Sequence, residues 1–180
     1  MVTRREFLQH GVLVTSGLAA GKLLADALTP VASHAAQVDP NDPGLVSSEI
    51  KYPSTDETAI SAYLTRPKGN EAHPAVLVIH EWDGIKEHIR DVARRLAKAG
   101  YVALTPDLLS RSGGTSSFST QEAAIAAGRK LDDEMITKDL TGGINYLKGQ
   151  SFVRANRIGV IGFCSGGRHA FLYACNKKDV

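Results

Sequence analysis

Cys164 is the residue around which chemistry can be organised. It lies in the stretch Arg157–Gly167, RIGVIGFCSGG. There an apolar, β-branched run suits a strand buried on both faces of a parallel sheet. A G-x-C-x-G pentapeptide follows, and then a helix-compatible segment, Arg168 to Cys175. Strand, glycine-flanked nucleophile and helix together make a nucleophile elbow, here with Cys where Ser is usual. The glycines are needed because a side chain beside the strained nucleophile would collide with neighbouring backbone. The N-terminus of the following helix favours thiolate over thiol. The same pentapeptide also fits a small, buried core cysteine near a glycine-rich turn, and taken alone it leaves both readings open.

The elements that must position Cys164 follow from hydrophobic periodicity. Glu49–Tyr52 and Ala59–Arg66 read as a hairpin around the polar turn Pro53–Thr58. Ala75–Ile79 (AVLVI) and Tyr101–Leu104 read as buried strands. Ile85–Ala99 has helical spacing and is stopped by Gly100. Arg111–Thr120 is a Gly/Ser/Thr loop, and Gln121–Lys130 and Met135–Leu147 are helical, the second weakened by Gly142 and Gly143. Strands alternating with helices predict an α/β, mostly parallel sheet covered by helices. In such sheets chemistry collects at the carboxyl ends of strands. Three ends stand out: His80-Glu81-Trp82-Asp83-Gly84, Thr105-Pro106-Asp107-Leu108-Leu109-Ser110-Arg111, and Cys164.

Composition narrows the rest. The 180 residues suffice for one domain, and 43% hydrophobic with 22% charged residues is ordinary for a globular chain. A net charge of +2 without a Lys/Arg run or basic-aromatic patch gives no support to nucleic-acid binding. Cys164 and Cys175, roughly 16 Å apart along one helix, are beyond disulfide reach. The histidines do not cluster at ligand spacing, so no metal site and no cofactor is expected.

The N-terminus reads as an address. Thr3-Arg4-Arg5-Glu6-Phe7-Leu8 matches the twin-arginine export motif, a modestly apolar stretch runs from Gly11 to Gly21, and Ser33 and Ala35 fit a cleavage site. Lys22 and Asp26 interrupt the apolar run, arguing against a stable membrane span. The expected organisation is a signal peptide over 1–35, a flexible leader over 36–48 and the globular domain over 49–180. The protein would then be exported to the periplasm or beyond, with the twin-arginine machinery as a partner. The alternative is an amphipathic N-terminal helix of the mature domain.

From Glu49 onward the sequence resembles the dienelactone hydrolase family of the α/β-hydrolase fold. The resemblance rests on HEWDG, GYVALTPDLLSR and RIGVIGFCSGG in that order. It implies a three-layer α/β sandwich and a Cys–His–Asp triad that hydrolyses a small ester or lactone (carboxymethylenebutenolidase-like). Carried onto this chain, it makes Cys164 the nucleophile and Glu81 a buried carboxylate acting on the thiol. The backbone N–H groups of Trp82 and Ser165 become the oxyanion hole, and Arg111 grips a substrate carboxylate. Each has a plainer reading: a helix-capping Glu81, a pocket-wall Trp82, a solvated Arg111. His80 reads as a structural histidine, and His169, more than a turn beyond Cys164, as a poor base. The family's Asp and His are expected beyond Val180, so the sandwich is expected to be truncated after the elbow helix. The alternatives are a non-catalytic fragment or binding remnant, or a thiol redox protein without a resolving Cys within reach.

Overall fold

The buried run Ala75–Ile79 shows how the layers form. In a strand, successive side chains point to opposite faces. Ala75, Leu77 and Ile79 enter one apolar cluster, and Val76 and Val78 another. A run apolar at every position therefore needs helices on both faces, each fully buried aliphatic contributing about 1.5–3 kcal/mol. A computed structural model describes residues 36–177 of the chain. The twin-arginine signal expected over 1–35 lies outside the described residues.

A hairpin of β1 (Leu45–Pro53) and β2 (Ala59–Pro67) opens the sheet. It is followed by β3 (His73–Ile79), α1 (Glu87–Lys98), β4 (Val102–Pro106) and, after a loop with two 3-10 turns, α2 (Gln121–Gly128). Then come α3 (Asp133–Lys148), β5 (Val153–Gly162) and α4 (Ser165–Asn176). The strand order is β1-β2-β4-β3-β5; β4, β3 and β5 run parallel, and β1 and β2 are antiparallel additions at one side. Ile89 and Ala93 of α1 cover one face; Ile136, Leu140 and Ile144 of α3 and Ala170 and Tyr173 of α4 cover the other. This is an α/β-hydrolase fold. No helix among the described residues is long and apolar enough to cross a membrane.

Three local expectations are corrected. The elbow strand β5 is buried on one face only: Ile158 and Val160 pack into the larger cluster, whereas Ile161 is 39% exposed. The reason is positional: among the described residues β5 pairs with β3 alone, and α1 lies over β2 and β4. Residues 36–44, expected as a flexible leader, are held on α1. Val38 N–H donates to Asp91 Oδ1 (2.8 Å), Arg94 Nε donates to the Val38 carbonyl (2.9 Å), and Lys98 pairs with Asp42 (2.9 Å). Pro40, Pro43 and Gly44 exclude regular structure there without freeing the chain, and Leu45–Ser48 already belong to β1. Finally, Gly142 is a packing point rather than a weak spot in α3. A Cβ there would stand 2.4 Å from the Pro53 carbonyl oxygen and 2.9 Å from Ser54 Cα, so its absence lets α3 close on the β1–β2 turn.

Candidate active site

Because β4, β3 and β5 are parallel neighbours, the three informative strand ends emerge along one edge of the sheet, about 4.8 Å apart from strand to strand. Cys164 caps α4 with φ 52° and ψ −117°, a conformation costing a non-glycine residue about 1–3 kcal/mol. The surroundings enforce it. Phe163 N–H donates to the Ile79 carbonyl (3.1 Å) and Gly166 N–H to the Phe163 carbonyl (2.8 Å). A Cβ on Gly162 would reach the Gly166 carbonyl oxygen at 2.0 Å, and one on Gly166 would reach the Ile79 and His80 carbonyl oxygens at 2.3 and 2.5 Å. Both flanking glycines are therefore required by backbone contact. The thiol side chain that results is exposed at the tip of the turn, not sunk in the core.

Trp82 follows the end of β3 and meets α4 edge-on, its ring 6.2 Å from that of His169. Among the described residues, neither the Trp82 N–H nor the Ser165 N–H finds a protein acceptor. Ser165 is buried at the first position of α4, where a free N–H belongs to the uncapped helix start.

Glu81 departs from expectation. Its side chain is 38% exposed rather than buried, and Oε2 lies 3.4 Å from His88 Nε2 in the first turn of α1 instead of bonding the thiol. Arg111 also departs. Its guanidinium faces inward to Asp139 (Nε to Oδ2 3.2 Å, Nη2 to Oδ1 2.7 Å) and to Asp56 (Nη2 to Oδ1 3.0 Å and to Oδ2 2.9 Å). Further bonds reach Thr58 Oγ1 (2.9 Å) and Ser54 Oγ (3.3 Å). The two carboxylates hold the Arg111 pKa above its ordinary value, Asp139 more than Asp56.

His80 is fully enclosed. Its Nε2 accepts from Leu108 N–H at 3.0 Å, so the proton sits on Nδ1, 2.5 Å from the Glu81 carbonyl oxygen. Burial pushes its pKa down, which keeps the ring neutral. It splices the ends of β3 and β4. His169 is buried on α4 with Nδ1 3.7 Å from Asp133, and burial followed by the neighbouring Arg168 lowers its pKa. Neither ring makes a hydrogen bond to Cys164.

One group went unread in the sequence. Asp107 accepts from Leu109 N–H (3.0 Å), Thr115 N–H (2.6 Å) and Thr115 Oγ1 (2.9 Å), while Thr115 Oγ1 accepts from Ile85 N–H (3.0 Å). This stitches the loop after β4 to the loop after β3. The only advance signal is an aspartate placed just past a strand end.

Comparison with known proteins agrees with this fold. The dienelactone hydrolase family profile matches residues 60–180. A Methylorubrum extorquens protein provisionally named carboxymethylenebutenolidase is 37% identical over 96% of this chain and 58% of its own length. A Bradyrhizobium protein provisionally named 2-oxo-3-(5-oxofuran-2-ylidene)propanoate lactonase is 42% identical over 63% of this chain and 45% of its own. A Klebsiella pneumoniae crystal structure, provisionally described as a dienelactone hydrolase, superposes with TM-score 0.67 at 32% identity, covering 74% of this chain and 55% of that one. The chain thus spans about half the length of the relatives it matches. By sequence and by architecture, the chain belongs to the dienelactone hydrolase family.

Proposed function

We propose that the protein hydrolyses a carboxylic ester or lactone through Cys164. The observation that carries this reading is an exposed thiol held at positive φ between two glycines that tolerate no Cβ. In the proposed reaction Cys164 Sγ attacks the carbonyl carbon and the π electrons move onto oxygen. The free N–H groups of Trp82 and Ser165 receive that oxyanion, a role worth about 2.7–4 kcal/mol per donor in other enzymes. Collapse breaks the C–O bond, the leaving oxygen takes up the proton given up by the thiol, and a thioester remains; water then adds to its carbonyl, the C–S bond breaks, the carboxylic acid is released and a proton returns to sulfur. Glu81, whose partner His88 meets Phe163 of the thiol's turn edge-on, is assigned to controlling the thiol's protonation. His80 accepts from Leu108 N–H and His169 lies against Asp133, and neither is assigned as the base.

That engagement also favours a second reading, a pocket that binds without turnover. Mass spectrometry after mixing with an activated ester separates the two. An acyl adduct on Cys164 that then decays, absent in Cys164→Ala, is expected. Ester cleavage undiminished in Cys164→Ala removes the thiol from the reaction, and the absence of any adduct favours binding alone. We also read residues 1–35 as a twin-arginine signal directing export. Arg4→Lys with Arg5→Lys should retain the protein in the cytoplasm, and unchanged fractionation would refute it.

A further inference from the structure

We infer that His80 is a positioning residue of the oxyanion hole: it holds the Glu81–Trp82 peptide so that the Trp82 N–H stays aimed at the developing oxyanion. This rests on the hydrolase reading above and assigns a role to a side chain which that reading leaves out. The carbonyl and the N–H of one trans peptide point in opposite directions within a single plane. Holding the Glu81 carbonyl therefore fixes where the Trp82 N–H points. Two donors hold it: His80 Nδ1–H reaches the Glu81 carbonyl oxygen at 2.5 Å, and Gly84 N–H reaches the same oxygen at 3.3 Å. Hydrogen bonds accepted at a carbonyl also polarise its peptide and strengthen the N–H on the other side as a donor.

His80 can do this because its other nitrogen is committed. Leu108 N–H donates to Nε2 at 3.0 Å, which leaves the one proton of a neutral ring on Nδ1. The residue is 1% exposed, so water does not compete for that proton. The same residue abuts the turn that carries the thiol, since a Cβ on Gly166 would stand 2.5 Å from the His80 carbonyl oxygen. The far side of Trp82 is backed by α2. There a Cβ on Gly128 would stand 2.3 Å from the Trp82 carbonyl oxygen, and Gln121 Nε2 donates to Asp83 Oδ2 at 2.9 Å. Trp82 is thus gripped through both of its peptides, one by His80 and Gly84, the other by α2. His80 donates a hydrogen bond and keeps its proton throughout, which is not the work of a base.

Two arms test the inference. In the first, Cys164 of the full chain is acylated with p-nitrophenyl acetate and, separately, alkylated with iodoacetamide. Acylation passes through an oxyanion; alkylation, a displacement at a saturated carbon, does not. The ratio of the two rates at Cys164, divided by the same ratio at the exposed Cys175, therefore reports the oxyanion hole with thiol reactivity cancelled. His80→Gln keeps an oxygen for the Leu108 N–H but offers no N–H to the Glu81 carbonyl. It should lower the normalised ratio by about tenfold or more, approaching the loss of an oxyanion donor itself. His80→Asn places an N–H where Nδ1 stands and should retain the ratio. An unchanged ratio in His80→Gln, or equal losses in the two variants, overturns the inference and leaves the thiol nucleophile standing. A wild-type ratio no higher at Cys164 than at Cys175 defeats the hydrolase reading, and the inference with it. In the second arm, nitrogen NMR of the isotope-labelled wild type reads the His80 tautomer, which requires no variant to fold. A proton on Nδ1, protected from exchange, is expected; a proton on Nε2 overturns the inference.

Discussion

Gly162 and Gly166 stand so close that a Cβ on the first would lie 2.0 Å from the carbonyl oxygen of the second. The obstacle is backbone on both sides, so no rotamer change relieves it. Gly162→Ala should destabilise the fold by about 3 kcal/mol or more, the upper range of overpacking costs. Gly159→Ala in the same strand, with nothing within 4 Å of its Cβ, should be nearly neutral. Urea midpoints of the two variants measure the contrast.

Cys164 is itself a strained position, with φ 52°. Replacing it with glycine should raise stability by about 1 kcal/mol, as relief of strain exceeds the entropy cost of glycine. Cys164→Ala, which keeps a Cβ, should not. Equal melting temperatures for the two variants would mean the turn is relaxed.

Thr115 links two loops through one hydroxyl, which donates to Asp107 and accepts from Ile85 N–H. Thr115→Val keeps the shape and removes both bonds, and should cost about 1–3 kcal/mol. Thr115→Ser should cost less. The order of the two thermal shifts is the readout.

Acid should weaken the fold in two separate windows. His80 and His169 have pKa values lowered by burial from 6.5. Below that value the unfolded chain takes up protons that the native rings refuse, so their contribution is full above pH 6.5 and is lost as pH falls further. Asp56 is held well below its ordinary 3.8, chiefly by its bond to Arg111. Its contribution is present above 3.8 and disappears as pH drops through the lowered value. Tm plotted against pH should fall below 6.5 in wild type and flatten there in a His80→Gln, His169→Gln variant. Asp56→Asn should flatten only the lower window.

Much of the sheet was legible in advance because AVLVI and the elbow run have strand character and glycines mark the turn at Cys164. The elbow's neighbours were legible for the same reason: three strand ends share one edge once β4, β3 and β5 are parallel. What misled was burial. An apolar run reads the same whether one face or two are covered, so the open face of β5 at Ile161 was invisible. Partners distant in sequence were equally hidden. Arg111 meets Asp56 and Asp139 from 55 and 28 residues away, and no local pattern pairs them. His80 was read correctly as structural because a histidine at a buried strand end must satisfy both ring nitrogens locally.

Among the described residues β5 pairs with β3 alone. Along its far side lies a row of amides and carbonyls with no strand beside them, next to the half-bared Ile161. That margin is where a further strand, from this chain or another, would add its hydrogen bonds.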